Sequence, residues 1–388
     1  MLKDICKEEL TGSIIPFWNK LYDGRGGFYG QTDLDLAVSR NAPKGVVLHS
    51  RILWFYSAAF SLLKDELLLD YADHAFRFLS EKCYDYEFGG LFWMMDCCGE
   101  PLDFMKHTYN QAFAIYGFSE YFKVSGNEKA RALALKIFDD IETKASDDFG
   151  YGEAFSRNWI PQKNIQLTDE KHETDKTMNT MLCLLEAYTE LFRITGSRRV
   201  KDSLKKVFSM IAEKGYDPKK RSLSVFFTRN LNTIGDIQSY GHDIEFSWIV
   251  EKVSRIIDDK KLALKAQSMS DQIADNMLSN AFENGAVFTR REGNVINKRR
   301  LWWIQAESVI GFANAYQHTN DTKFLDACKQ VLGYILKYQK DKRSGEWFPV
   351  TDESGAFVRD KDDFLMSGEW KSPFHNSRMC IEIINRGL

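Results

Sequence analysis

A sequence period of about 60 residues, repeated six times, limits what this chain can fold into more than any other feature. A short motif, glycine or a small polar residue followed by aromatic or β-branched residues, marks each repeat. It reads Gly26-Gly27-Phe28-Tyr29, Gly89-Gly90-Leu91-Phe92-Trp93, Phe149-Gly150-Tyr151-Gly152, Ser222-Leu223-Ser224-Val225-Phe226-Phe227, Gly285-Ala286-Val287-Phe288 and Gly345-Glu346-Trp347-Phe348. Anchored on 27, 90, 150, 222, 285 and 345, the spacings are 63, 60, 72, 63 and 60 residues. Repeats of this kind are supersecondary units that bury a shared core only by stacking on their neighbours.

Two helical patterns lie in each repeat. Residues 2–22, 65–84, 126–145, 197–216, 259–281 and 321–341 space apolar residues among many Lys, Asp and Glu, which predicts helices with one wet face. Residues 46–62, 106–123, 173–195, 240–256, 300–318 and 372–386 carry more aromatic and small residues and fewer charges, and read as buried on most sides. Twelve helices, alternately wet and dry, predict an all-α fold, an inner ring wrapped by an outer one: an (α/α)6 barrel. The glycine-aromatic turns are expected as short β-hairpins at one end. The long connections 26–45, 86–105, 148–171, 219–239, 283–299 and 343–371 then gather at one rim. No Pro/Gly/Ser-rich linker interrupts the period, so residues 1–388 are expected to form one domain, a length that closed barrels reach.

Composition narrows the partners. Net charge is −3 and Lys and Arg are scattered, which argues against nucleic acid or an anionic membrane as the main partner. Seven cysteines at 6, 83, 97, 98, 183, 328 and 380 lack zinc-ligand spacing or a disulfide framework. The start Met1-Leu2-Lys3-Asp4 has no signal-peptide run, and no uninterrupted apolar stretch reaches spanning length. A reducing cytoplasm is the expected location. No Gly-rich phosphate loop opens a helix, so a dinucleotide site is unsupported, and no metal or other cofactor is expected.

The polar residues that call for explanation stand where inner helices begin: His49-Ser50-Arg51, His107-Thr108-Tyr109-Asn110-Gln111, His172 to Asn179, Gly241-His242-Asp243-Ile244-Glu245, Trp302-Trp303-Ile304-Gln305-Ala306-Glu307, and Trp370 to Arg378. Within them His242, Glu245 and Trp248 are three apart, Trp303 and Glu307 four apart, and Asp175, Asn179 and Cys183 four apart, so each set is expected on one helix face. Ser372-Pro373 suits a helix start, which puts His375 in the first turn, where the dipole disfavours imidazolium. A single histidine such as His49 or His107 fits a structural hydrogen bond. Six polar clusters at six helix starts fit a cavity that receives a small polar ligand. Two bases from different helices, His242 and His375, could remove and return a proton on carbon beside a carbonyl. Arg51 would then steady the enediolate, with Glu245 or Glu307 orienting a histidine.

These segments resemble the N-acylglucosamine 2-epimerase superfamily along the whole chain. The resemblance rests on Ile15-Pro16-Phe17-Trp18 with Gly26 to Gly30, Leu48-His49-Ser50-Arg51-Ile52-Leu53-Trp54, Gly241 to Glu245, Trp302 to Glu307, and Trp370-Lys371-Ser372-Pro373-Phe374-His375-Asn376. The Trp pair followed by Gln-x-Glu is similar to the cellobiose 2-epimerase branch. The resemblance implies metal-free epimerisation at C2 of an unmodified reducing sugar, after ring opening, through a cis-enediol. It implies His242 and His375 as acid/base pair and Arg51 at the O1/O2 end. Asn179 and Glu245 are implied as further substrate-contacting or His-orienting positions, and Trp303 and Trp370 as sugar-stacking plates with Glu307 nearby. Trp248 and Tyr109 complete the expected substrate-binding set. Cys183 departs from the pattern, since that branch usually places a histidine there, and this leaves mannose or glucose as alternative substrates. An aldose-ketose isomerase, a glycoside hydrolase using Glu245 with Glu307 or Asp243, and a non-catalytic sugar-binding protein are the competing classes. The expected partner is a small sugar, and the expected assembly a monomer or weak homodimer.

Overall fold

The computed structural model describes residues 1–168, 172–359 and 365–388. Six inner helices, Val46–Leu63, Thr108–Ser125, Met178–Thr195, Tyr240–Ile257, Trp302–Thr319 and Phe374–Arg386, each pack on the next, and the sixth packs on the first. The ring is therefore closed. Its first five members are each 18 residues long, a rise of about 27 Å. Equal lengths place all their N-termini at one end of the barrel and all their C-termini at the other.

The outer ring is formed by Leu2–Glu9 running through to Asn19, Glu66–Phe78, Glu128–Asp140, Arg198–Met210, Lys260–Asn280 and Thr322–Tyr334. Inner and outer helices are joined by two residues with a fixed logic. Lys64, Gly126, Gly196, Asp258 and Asn320 adopt the left-handed conformation that stops the inner helix. The next residue caps the outer helix, and Asp65, Asn127, Asp259 and Asp321 do so by accepting backbone N–H bonds. Among the described residues five outer helices widen into a five-residue π-helical turn, at Leu10–Ile14, Leu79–Cys83, Ile141–Ala145, Ile211–Gly215 and Ile335–Gln339.

The long connections carry short strands at the N-terminal rim of the inner helices. Hairpins within a repeat occur at Ser146–Asp147 with Gly150–Tyr151, Tyr216–Asp217 with Ser222–Leu223, and Phe282–Glu283 with Ala286–Val287. Strands also stitch successive repeats together. Lys44 pairs with Met95, Lys106 with Phe155, Lys176 with Phe227, Ser239 with Arg290 and Arg300 with Thr351, all antiparallel. This pairing shortens several expected helices. The third inner helix starts at Met178 rather than 173 because Lys176 and Thr177 are extended against Phe226 and Phe227. Asp175 therefore does not share a helix face with Asn179; it accepts the Arg229 backbone N–H instead.

The seam between last and first repeats is closed by a buried polar knot. Glu346 accepts bonds from Trp18 Nε1, Lys371 Nζ and Asn376 Nδ2, while Glu9 accepts from Lys340 and from Trp347 Nε1. The buried apolar residues form one contiguous cluster through both rings. Val46–Leu63 is long and apolar enough to cross a membrane, but here it is an inner barrel helix that is 78% buried.

Candidate active site

Counted from its first residue, each of the first five inner helices turns the same positions to the barrel axis. The second or third residue contributes Tyr109, Asn179, His242 and Trp303; the sixth contributes Arg51, Phe113, Cys183, Glu245 and Glu307. Positions 2, 6 and 9 recur on one side of a 3.6-residue helix. Arg51, Tyr109, Asn179, Cys183, His242, Glu245 and Trp303 meet Trp370 and His375 around one cavity of about 240 Å³ at the N-terminal rim. Phe113, Leu182, Glu186 and Trp302 complete its wall.

Many of the polar residues at helix starts serve the fold instead. His49 accepts the Phe28 N–H at 2.9 Å, Gln111 bonds both backbone groups of Leu91, Asp243 accepts from Leu223 N–H, and Gln305 bonds both backbone groups of Val287. Each clamps the glycine-aromatic turn of its own repeat and stands at the fourth helical position, turned away from the axis. His107 is buried against Asn164 and the Tyr109 N–H. His172 lies ahead of its helix, stacked on Phe226.

The two remaining candidate histidines differ in how they are held. His375 Nδ1 donates to Glu307 Oε1 at 2.7 Å. A carboxylate can only accept there, so Nδ1 carries the proton and Nε2 is left as the free lone pair. Burial pushes the His375 pKa well below its ordinary value, and the Arg378 guanidinium adds to the shift. His242 is lowered too by burial, opposed by Glu245. Its Nδ1 is buried with no hydrogen-bond partner among the described residues. The Trp303 ring lies 5.4 Å from His242 and 5.6 Å from His375, centre to centre, so one plate touches both imidazoles.

Arg51 is 4% exposed, donates to the Tyr109 hydroxyl at 2.6 Å and to the Trp370 carbonyl at 3.2 Å, and lies over the Phe113 ring. Its Nε has no partner among the described residues. Trp370 is 38% exposed at the mouth, beside Trp93 and Tyr109. Cys183 lines the wall with its thiol pushed far up by burial, a neutral and weak donor.

Two expected substrate contacts do not line this cavity. Trp248 and Glu307 are fully covered and stand behind the cavity wall. Trp248 occupies the ninth helical position, one turn below Glu245, and its indole N–H donates to Glu307 Oε2 at 3.0 Å. Glu307 in turn orients His375. Sequence reasoning missed Arg378, whose signal was its place three residues after His375, on the same helix face. Its guanidinium donates to Glu186, Glu245 and Glu307. Ligand-type atoms of Glu245, Glu307 and His375 converge within 4.8 Å, but the cation bonded to both carboxylates is this chain's own arginine.

Comparison with known proteins identifies the family. The model of the N-acylglucosamine 2-epimerase (GlcNAc 2-epimerase) family matches residues 27–371. A cellobiose 2-epimerase of Ruminococcus albus is 46% identical, covering 100% of this chain and 99% of that protein. A cellobiose 2-epimerase of Dictyoglomus turgidum is 40% identical with the same coverage. The crystal structure of a sugar epimerase from a ruminal bacterium superposes with a TM-score of 0.98 at 45% identity, over 100% of both chains. Family match, full-length relatives and superposition agree, and the chain is a carbohydrate epimerase that belongs to the N-acylglucosamine 2-epimerase family.

Proposed function

We propose that this enzyme inverts C2 of the unmodified reducing-end sugar of a cellobiose- or lactose-type β-1,4 disaccharide. The observation that carries this reading is the pair of buried, deprotonation-favoured imidazoles on one cavity, His375 with a fixed tautomer and His242 across the Trp303 plate. After ring opening, one imidazole takes the C2 proton. The electron pair moves into a cis-enediolate whose charge develops on O1, and Arg51 with the Tyr109 hydroxyl meets that end. The other imidazole, loaded with a proton from solvent before the step, delivers that proton to the opposite face of C2, and exchange of the abstracted proton with solvent resets the pair. Removal by one histidine and return by another gives inversion without any redox change. Asn179 and Glu245 hold the sugar hydroxyls, and Trp303 and Trp370 stack on the rings.

The full-length relatives named cellobiose 2-epimerase support the disaccharide. Cys183 favours a second reading, mannose and glucose, because a thiol at the wall supplies a weaker hydrogen bond than an imidazole would. We place the enzyme in the cytoplasm, acting as one domain and as a monomer or weak homodimer. Incubation in heavy water with cellobiose, lactose, mannose, glucose and N-acetylglucosamine tests both readings. Deuterium at C2 of cellobiose and lactose, with the 2-epimers as products, is expected. Fructose from mannose would replace epimerisation by aldose-ketose isomerisation, release of monosaccharide from cellobiose would favour a hydrolase, and no exchange from any sugar would refute the reading.

A further inference from the structure

The feature of this barrel that the proton transfers leave unused is a buried arginine at the centre of three carboxylates. Arg378 is 1% exposed and lies one helical turn from His375 on the sixth inner helix. It donates to Glu186 on the third inner helix at 2.5 Å, to Glu245 on the fourth, and to Glu307 on the fifth at 2.7 Å. The Phe374 ring, 4.3 Å away, and the Trp248 ring, 5.0 Å away, bracket the guanidinium. One side chain thus ties four of the six inner helices together directly beneath the cavity.

We propose that Arg378 is a positioning residue for His375: it neutralises the Glu307 carboxylate that orients the imidazole, and so keeps that imidazole an unprotonated base. The proposal rests on the reading of His375 as a base. Glu307 Oε1 is shared, accepting from His375 Nδ1 and from Arg378 at the same 2.7 Å. A carboxylate bonded to an imidazole would by itself stabilise imidazolium.

His318 in the same chain supplies the contrast. It meets Glu251 and Asp271, and although burial opposes it, these carboxylates push its pKa up to about 9. His375 also touches a carboxylate, yet its pKa lies well below the ordinary value, through burial and then Arg378. Other elements also act on His375. Glu245 favours the imidazolium, while Arg51 on the first inner helix and His242 on the fourth disfavour it. On the third inner helix burial pushes Glu186 up to about 7 against the pull of Arg378. Cys183 and Tyr109 stay neutral, their pKa values raised by burial. Without Arg378, burial, Arg51 and His242 would be left to oppose the Glu245 and Glu307 carboxylates at the imidazole.

The test compares wild type with Arg378→Gln and Arg378→Lys by NMR titration of the His375 ring, which needs no turnover, and by the pH profile of kcat/KM on cellobiose. The base works unprotonated, so activity falls as pH drops through its pKa. In Arg378→Gln the His375 titration and the acid limb are expected to move up together by about 1–3 units, with part of the rate recovered on the alkaline side. Arg378→Lys keeps the charge with fewer bonds and should move them less. A uniform rate loss with an unmoved titration would reduce Arg378 to a structural role and overturn the proposal. If Arg378→Gln does not fold, Glu307→Gln decides: removing the charge that Arg378 neutralises should move the His375 titration down, and an unmoved titration refutes the coupling. Full activity of His375→Ala would instead overturn the functional reading, which the NMR measurement on Arg378 leaves separate.

Discussion

Gly241 is the sharpest place to perturb the site without touching a polar group. It is the second residue of the fourth inner helix, in the layer that faces the axis, and the Trp303 ring lies on it. A Cβ at this position would stand 2.2 Å from Trp303 Cη2, 2.5 Å from Cζ3 and 2.8 Å from Ile304 Cγ1. Carbon atoms pack at ~3.5–4.0 Å, so in Gly241→Ala the ring has to retreat by more than about 1 Å. The backbone there is helical and takes alanine without strain. Overpacking of this kind costs ~1–3 kcal/mol, and the better helix propensity of alanine returns ~1 kcal/mol. The net loss, at most about 2 kcal/mol, leaves the protein folded. Activity suffers more, because Trp303 is the plate between His242 and His375. A displacement of that size near reacting groups costs about 10²-fold in rate. The expected result is a drop of that order in kcat/KM for cellobiose, with Tm lowered by only a few degrees. Wild-type kcat/KM in Gly241→Ala would show that the ring does not set the relation of the two imidazoles, and would refute the argument.

His242→Ala and His375→Ala are each expected to abolish deuterium exchange at C2 while leaving the thermal melt within a few degrees of wild type; turnover in either removes it from the proton transfers. Trp248→Phe keeps the packing but withdraws the indole donor from Glu307, and is expected to lower kcat with little change in KM; a rise in KM alone would return Trp248 to substrate contact. Glu346→Ala leaves Lys371 buried without its partner and frees Trp18 and Asn376, so chemical denaturation should record a loss of about 3–5 kcal/mol. A loss below about 1 kcal/mol would show that the seam does not hold the ring closed. Burial raises the Asp85 pKa, but bonds from Arg157 and Lys106 pull it down further, to about 2. A depressed carboxylate contributes stability that is present above its unfolded pKa of about 3.9 and is lost as pH falls toward 2. Asp85→Asn should therefore flatten the stability profile between those values, and an unchanged acid slope would locate the acid sensitivity elsewhere.

The repeat, the alternation of wet and dry helices and the rim where the loops gather are local properties of the chain. A helix declares its buried face by the spacing of apolar residues, and a turn declares itself by glycine followed by aromatics, so six copies of both determined the barrel. The sequence also brought His242, His375 and Arg51 forward, because polar groups at the starts of otherwise dry helices need a reason to be there. It could not say which of those groups face the axis. His49, Gln111, Asp243 and Gln305 stand only two residues before Arg51, Phe113, Glu245 and Glu307, and that step of about 200° turns a side chain from the cavity to the hairpin behind. The rotation of each helix is settled by packing against two neighbours and the outer ring, which no single helix encodes. Trp248 and Glu307 turn to the axis but are covered there by the partners they bond, and Arg378 gained its place because four helices distant in sequence bring three carboxylates to one guanidinium. The sequence by itself determined the architecture and brought the two candidate histidines forward; only the closed ring decided which side chains hold them.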